Sequence, residues 1–262
     1  MKRRTYVLTG DAHCGHLAGL TPPQWWIGEG SKTGQIQREL WGYFSKWAEQ
    51  FKGVDGFIHN GDAIDGKGQA SGGTELLTTD RRVQGRMAAQ AFAMFGAKKY
   101  LMTYGTPYHT GKEEDWEQNV ADILQCPIHG NHFFSPSGSN VVVHLKHKIG
   151  SSTIPHGRHT AVAKDKLWLD IWHEAQNWPK ANMIVRSHVH YWNYCGGPGW
   201  TAMTLPALCG AASKYGSRQC SGVVDFGIVW FEIDEKGELR FDPRRNVETV
   251  RVMTTRPSIT TM

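Results

Sequence analysis

The chain has 262 residues, 40% of them hydrophobic and 20% charged, which leaves room for one large folded domain and excludes a mainly disordered chain. Its formal charge of +5, from 29 Lys and Arg against 24 Asp and Glu, suits a phosphate-bearing substrate but is too mild to mark a nucleic-acid-binding protein by itself. No apolar run reaches the roughly 18 residues of a membrane span, Met1-Lys2-Arg3-Arg4 leads into a strand rather than a signal segment, and the five cysteines form no CxxC pair, so a reduced protein of the cytoplasm, or of a host cytoplasm, is expected.

In chain order, residues 5–10 read as a buried strand, followed by a loop through Thr21-Pro22-Pro23. From Ile36, apolar residues recur at Leu40, Phe44, Trp47, Ala48 and Phe51, the progression of an amphipathic helix that Gly53 then stops. Residues 56–59 predict a second strand, 80–98 a second helix, 99–104 a third strand and about 113–124 a third helix. The alternation suggests right-handed crossovers with functional loops at the carboxyl ends of the strands. Further on, 140–147 and 201–205 read as strands, and 226–233 with 238–242 form a hairpin around Glu235-Lys236-Gly237. A helix carrying Trp168, Ile171, Trp172 and Ala175 precedes a strand at Met183-Ile184-Val185. The pattern predicts a single domain over 1–262, with a core at about 5–243 and a C-terminal tail at 244–262.

Three of these strands end in ligand-type side chains. Tyr6-Val7-Leu8 leads to Asp11-Ala12-His13, Gly56-Phe57-Ile58 to Asn60-Gly61-Asp62, and Met183-Ile184-Val185 to His188-Val189-His190. Two residues apart, Asp11 and His13 can face one ion, and His188 and His190 repeat the spacing. Carboxylate oxygen and imidazole nitrogen are ligands for divalent cations. One carboxylate such as Asp62 can bridge two cations about 3.5–4 Å apart. An isolated Asp-x-His is more often a polar loop than a ligand pair, but its recurrence at several strand ends outweighs that reading.

The order Asp11-Ala12-His13, Gly61-Asp62-Ala63-Ile64-Asp65, Gly105 to His109, then His188-Val189-His190 resembles the calcineurin-like metallophosphoesterase superfamily over residues 5 to about 205. The resemblance implies an α/β fold: a two-layer mixed β-sandwich flanked by helices, α-β-β-α. It implies Asp11, His13 and His190 on one metal, His188 on the other, and Asp62 bridging. The family's Gly-Asn-His, with Asn on metal and His as acid, is replaced here by Gly105-Thr106-Pro107-Tyr108-His109, similar to phage-type members with G-T-x-x-H. A literal Gly130-Asn131-His132 is the rival for that slot. His147, closing Val141-Val142-Val143, is the middle metal ligand by the same resemblance, with His156 as runner-up.

The implied cofactors are two divalent ions, manganese first, with zinc, iron or nickel as alternatives. The implied activity is phosphoester hydrolysis by a hydroxide held between the metals, His109 protonating the leaving oxygen. A phosphodiester substrate, DNA or RNA in a nuclease-like reaction, is the leading choice, without a membrane partner. A phosphomonoesterase or protein phosphatase and a metal-stabilised binding module without turnover are the alternatives. Arg158 and Arg186 are candidate phosphate contacts by proximity to the motifs, and Trp25-Trp26 are candidates for a substrate platform or a hydrophobic lid. Cys14, inside the first motif, reads as a buried filler.

Overall fold

A computed structural model describes residues 2–111, 114–152, 154–210 and 224–252. The first half lays down β1 (Arg4–Thr9), α1 (Lys32–Gln50), β2 (Gly56–Asn60), α2 (Arg81–Ala93), β3 (Tyr100–Thr103), α3 (Pro107–Thr110), α4 (Gln118–Leu124) and β4 (Ile128–His129). After these come β5 (Asn131–Phe134), β6 (Val143–Lys146), α5 (Gly157–Gln176), β7 (Met183–Arg186), β8 (Asn193–Gly197), β9 (Trp200–Thr204), β10 (Phe226–Ile233), β11 (Leu239–Arg240) and β12 (Val247–Val250). One sheet runs β11-β10-β1-β2-β3-β4, with β12 also on β10, and the other runs β5-β6-β7-β9-β8. β1 to β4 are parallel to one another, as are β6, β7 and β9, and antiparallel strands close the edges.

Period-two alternation explains the layering. Val7 and Phe57 point to one face, where they join Phe44, Trp47, Phe92 and Phe95 of the α1–α2 side. Their neighbours Leu8 and Ile58 point to the other face and meet Val143, Leu145, Met183 and Val185 of the second sheet. On β7 the intervening Ile184 turns outward to Val162 and Leu169 of α5. The result is the expected α-β-β-α stack: two mixed sheets face to face with helices outside. Ser31 caps α1, its hydroxyl accepting from Gly34 N at 3.0 Å. Asp80 caps α2 by accepting from Arg82 N and Val83 N, so residue 80 is the cap rather than the first turn.

The differences from the sequence reading are local. Residues 107–110 form a short helix directly behind β3, because Pro107 suits a first helical position and begins a turn there. The third helix itself is confined to Gln118–Leu124. Asn131 and His132, read as part of a motif, belong to edge strand β5, paired with Lys146 and Leu145. Of the stretch read as a tail, Val247–Val250 pairs with β10, so the first sheet extends beyond 243. Cys220 and the end of that tail, from 253, lie outside the described residues.

Candidate metal centre

The carboxyl ends of β1, β2, β3, β6 and β7 meet at one edge of the sandwich, and their loops are tied by backbone bonds. Asp11 N–H donates to Gly61 O, His13 N–H to Asp62 O, and Cys14 N–H to Ala63 O, each at 3.0 Å. The loops after β1 and β2 therefore run side by side and present Asp11, His13, Asp62 and Asp65 together. Ser187 N–H donates to His147 O at 2.8 Å, which sets the end of β6 against the end of β7. His188 N–H reaches across to both carboxylate oxygens of Asp11, at 3.1 and 3.0 Å.

Two adjacent groups result. Asp11, His13 and His190 each offer one atom within 4.8 Å of the others, and so do Asp62, His147 and His188; a third such set, His13, Asp62 and His109, links them. The residues that the sequence favoured as ligands or acid, Asp11, His13, Asp62, His109, His147, His188 and His190, are thus in one place. The runner-up His156 is exposed at the start of α5. Asn131 is hydrogen-bonded to His144, His132 stacks on His129 at 4.0 Å, and neither joins a ligand group among the described residues.

The donor atoms fit divalent cations. His147 Nδ1–H donates to the Asn60 carbonyl at 2.7 Å, which aims Nε2 inward. Nε2 lies 2.9 Å from Asp62 Oδ2 yet has no hydrogen-bonding geometry to any atom, as expected of two ligands aimed at a shared point rather than at each other. His13 Nε2 and His190 Nε2 converge to 3.1 Å, and His190 Nε2 is 3.3 Å from Asp11 Oδ1. Mixed imidazole and carboxylate donors of this kind suit manganese, zinc, iron or nickel.

Backbone conformation marks the same residues. Among the described residues, non-glycine positive φ occurs at Asp11 (52°), His13 (43°), Asp62 (53°), His188 (76°) and His190 (56°), and otherwise only at Gln125 and Asn177, which cap α4 and α5. Each such corner costs on the order of 1–3 kcal/mol and persists where surrounding structure imposes it, a habit of functional sites.

Electrostatics follow from the crowding. Burial favours the neutral acid at Asp11, but His190 and His147 outweigh it and hold the carboxyl at about 2; Asp62 is likewise held well below the usual range by His147 and His109. Burial pulls His147 down, yet Asp62 and Asp11 raise it to about 10, an attraction that a divalent cation would exploit by displacing the Nε2 proton. His188, facing burial and then His147, is lowered to about 4, ready to ligate as a neutral ring. Burial also opposes charge on His109, but the Asp62 and Asp65 carboxylates raise it to about 9. Because that value lies above the ordinary 6.5, His109 contributes stability that is fully present below pH 6.5 and is lost as pH rises through about 9. In the metal-free chain, His109→Gln should flatten the decline in unfolding free energy between those limits. Urea titrations across that pH range check it, and an unchanged slope would refute the assignment.

Two residues behind the ligands carry roles that the motifs alone did not assign. Asp65, an ionised carboxylate held below the usual range by His109 and His13, accepts from His13 Nδ1–H at 2.9 Å and so turns Nε2 toward the first group. Its backbone carbonyl accepts from His109 Nδ1–H at 3.0 Å. Asp65→Asn should lower metal affinity or activity by about 10–100-fold, the usual effect of removing such an orienting carboxylate; metal titration of the variant checks this. Glu117, completely buried at the start of α4, accepts from the backbone N–H groups of Ala63 and Gly105. Burial and then the Asp62 carboxylate push it up to about 8. Nothing in its sequence surroundings marks it, whereas Asp65 stands in the Gly61-Asp62-x-x-Asp65 string.

Thr106 does not reach out as a ligand. Its N–H donates to Asp62 Oδ1 at 2.7 Å, and its hydroxyl lies 3.2 and 3.3 Å from the two carboxylate oxygens, so it fixes the Asp62 side chain. Arg186 is corrected outright: it is buried against α5, with Nε donating to Asp165 at 2.6 Å and a terminal nitrogen 3.0 Å from His144 Nδ1, and cannot contact substrate. Arg158 lies over the Tyr191 ring at 4.2 Å. Trp25 packs on the α1–α2 core, and Trp26 donates to Thr21 O at 2.9 Å with Arg38 over its ring; both serve packing. Cys14 is buried, and desolvation raises its thiol far above the ordinary range, as a filler requires.

No protein-family model and no curated protein matches the chain. Among solved structures, a single mutant of Vps29 from Entamoeba histolytica is 13% identical at a TM-score of 0.49, over 94% of this chain and 98% of that one. Vps29 from Cryptosporidium parvum is 13% identical at 0.47, over 95% and 98%. A novel archaeal phosphodiesterase is 12% identical at 0.45, over 94% and 99%. At these identities and scores the likenesses say nothing about activity. No helix among the described residues is long and apolar enough to cross a membrane.

Proposed function

We propose that the protein is a metal-dependent phosphoester hydrolase acting on diesters, with nuclease-like activity on DNA or RNA as the leading substrate class. The observation that carries this reading is the pair of abutting groups, Asp11-His13-His190 and Asp62-His147-His188, linked by His13, Asp62 and His109. Asp11, His13 and His190 would hold one cation, His147 and His188 the other, and Asp62 would touch both. Bound there, two divalent cations, manganese for preference, supply a water nucleophile at neutral pH and neutralise the nonbridging phosphoryl oxygens. The chain's own contribution is positional. Asp65 aligns His13 and His109, Asn60 O aligns His147, and Thr106 and the His188 N–H lock Asp62 and Asp11. His109, whose raised pKa keeps it protonated beside the Asp62 carboxylate, would give its proton to the leaving oxygen. The half-exposed Tyr108 ring packs edge-on to His109 at 4.8 Å.

Turnover of bis-aryl and mono-aryl phosphates with added manganese tests the proposal. A preference for the diester, lost in His109→Gln mainly through kcat, is expected. A strong monoester preference would replace the diester reading with a phosphatase. Tight metal without turnover of either ester would leave a binding module and end the enzyme claim.

A further inference from the structure

We infer that Glu117 is a positioning residue for the Asp62-His147-His188 cation site, clamping the β2 and β3 loops so that Asp62 and Thr106 meet; this rests on the two-cation reading above. The Glu117 carboxyl lies completely buried beneath the site. It ties together the loops that follow the paired ends of β2 and β3: one oxygen accepts from Ala63 N–H, one residue past Asp62, and the other from Gly105 N–H at 2.6 Å, one residue before Thr106. Those two loops approach so closely that a Cβ on Gly105 would sit 2.0 Å from Asp62 Oδ1, and Thr106 N–H then donates to the same oxygen. The chain of contact is Glu117 to both backbones, both backbones to Asp62, and Asp62 to His147.

A carboxyl group, whose two oxygens can accept in either protonation state, is what this place needs. It has two acceptor oxygens for two inward-facing N–H donors, whereas a glutamine side chain can accept from only one and must turn its NH2 against the other, leaving that N–H and the NH2 itself unsatisfied. The damage would fall on Ala63 or Gly105 and pass to Asp62. The Asp11-His13-His190 group, built on the loops after β1 and β7, would feel it less directly, through Asp62 and through the Cys14 N–H bond to Ala63 O beside His13.

Manganese titration calorimetry separates the two groups. In a His190→Ala background, which breaks the Asp11-His13-His190 group and leaves Asp62-His147-His188 complete, Glu117→Gln should weaken binding by about 10–100-fold. In a His188→Ala background the same substitution should cost less than about threefold, and Glu117→Asp, which keeps the acceptor pair on a shorter arm, should recover part of the loss. Equal losses in both backgrounds, or none in the first, overturn the proposal. If His190→Ala with native Glu117 binds no manganese, the two-cation reading fails, and this inference with it. Should Glu117→Gln not fold, amide exchange in the otherwise native chain decides: Ala63 and Gly105 amides exchanging as fast as exposed loop amides would show that no clamp exists.

Discussion

Asp62→Asn is expected to lower kcat/KM for phosphoester hydrolysis by on the order of 10³-fold while leaving the chain folded. Asparagine keeps the shape, and its carbonyl oxygen can still accept from Thr106 N–H, the shortest contact Asp62 makes at 2.7 Å. What it cannot keep is the second oxygen, now an NH2 with no lone pair, placed where Asp62 Oδ2 stands 2.9 Å from His147 Nε2. The loss should exceed that of a single preorganised hydrogen-bond donor, about 10²–10³-fold, because two cations would lose a shared ligand at once. Neutralising this buried carboxylate also takes away the partner that holds His147 and His109 protonated, so the melting temperature of the metal-free chain should fall. Hydrolysis at saturating manganese and a thermal melt without metal check both halves. Activity within about tenfold of the parent would remove Asp62 from the centre of the mechanism.

Gly105→Ala should be the second severe change, and it doubles as a choice between two motifs. A methyl there would lie 2.0 Å from Asp62 Oδ1 and 2.3 Å from Asp62 N. One of these is backbone, so no rotamer relieves the clash and the two loops must separate. Overpacking of this kind costs about 1–3 kcal/mol. A displacement of Asp62 on the order of an ångström would lower the rate by about 10²-fold. Gly130, the glycine of the literal Gly-Asn-His, has nothing within 4 Å of a Cβ, so Gly130→Ala should be neutral in rate and stability. If the two variants reversed these roles, the Asn131-His132 segment would be the catalytic one.

Strand ends were the legible part of this chain. Short apolar runs closing on Asp11, Asp62 and His188 could be read directly, because period-two burial and ligand chemistry both leave a mark on adjacent residues. Even the error at Arg186 had an available remedy: it shares its strand face with Ile184, which packs on α5, so parity alone turns it away from the loops. Glu117 offered no such handle. Its role is fixed by two backbone donors, one 54 and one 12 residues distant, and backbone groups carry no sequence signal. Strands β4, β5 and β8 were likewise missed, being short edge segments whose pairing depends on neighbours already in place.

The left-handed corners at the ligands have a consequence for how this scaffold can vary. A residue held at positive φ against its preference is a place where glycine relieves about 1–3 kcal/mol of backbone strain, against roughly 0.5–1 kcal/mol of added chain entropy. His190, at φ 56° and with a side chain only 17% exposed, sets that relief against the packing it would forfeit on His13. Replacing it by glycine should therefore leave the heat resistance of the metal-free protein little changed while making it unable to complete its first cation group. Selection for thermostability alone would not preserve the centre, and only selection on its chemistry can keep those histidines where they are.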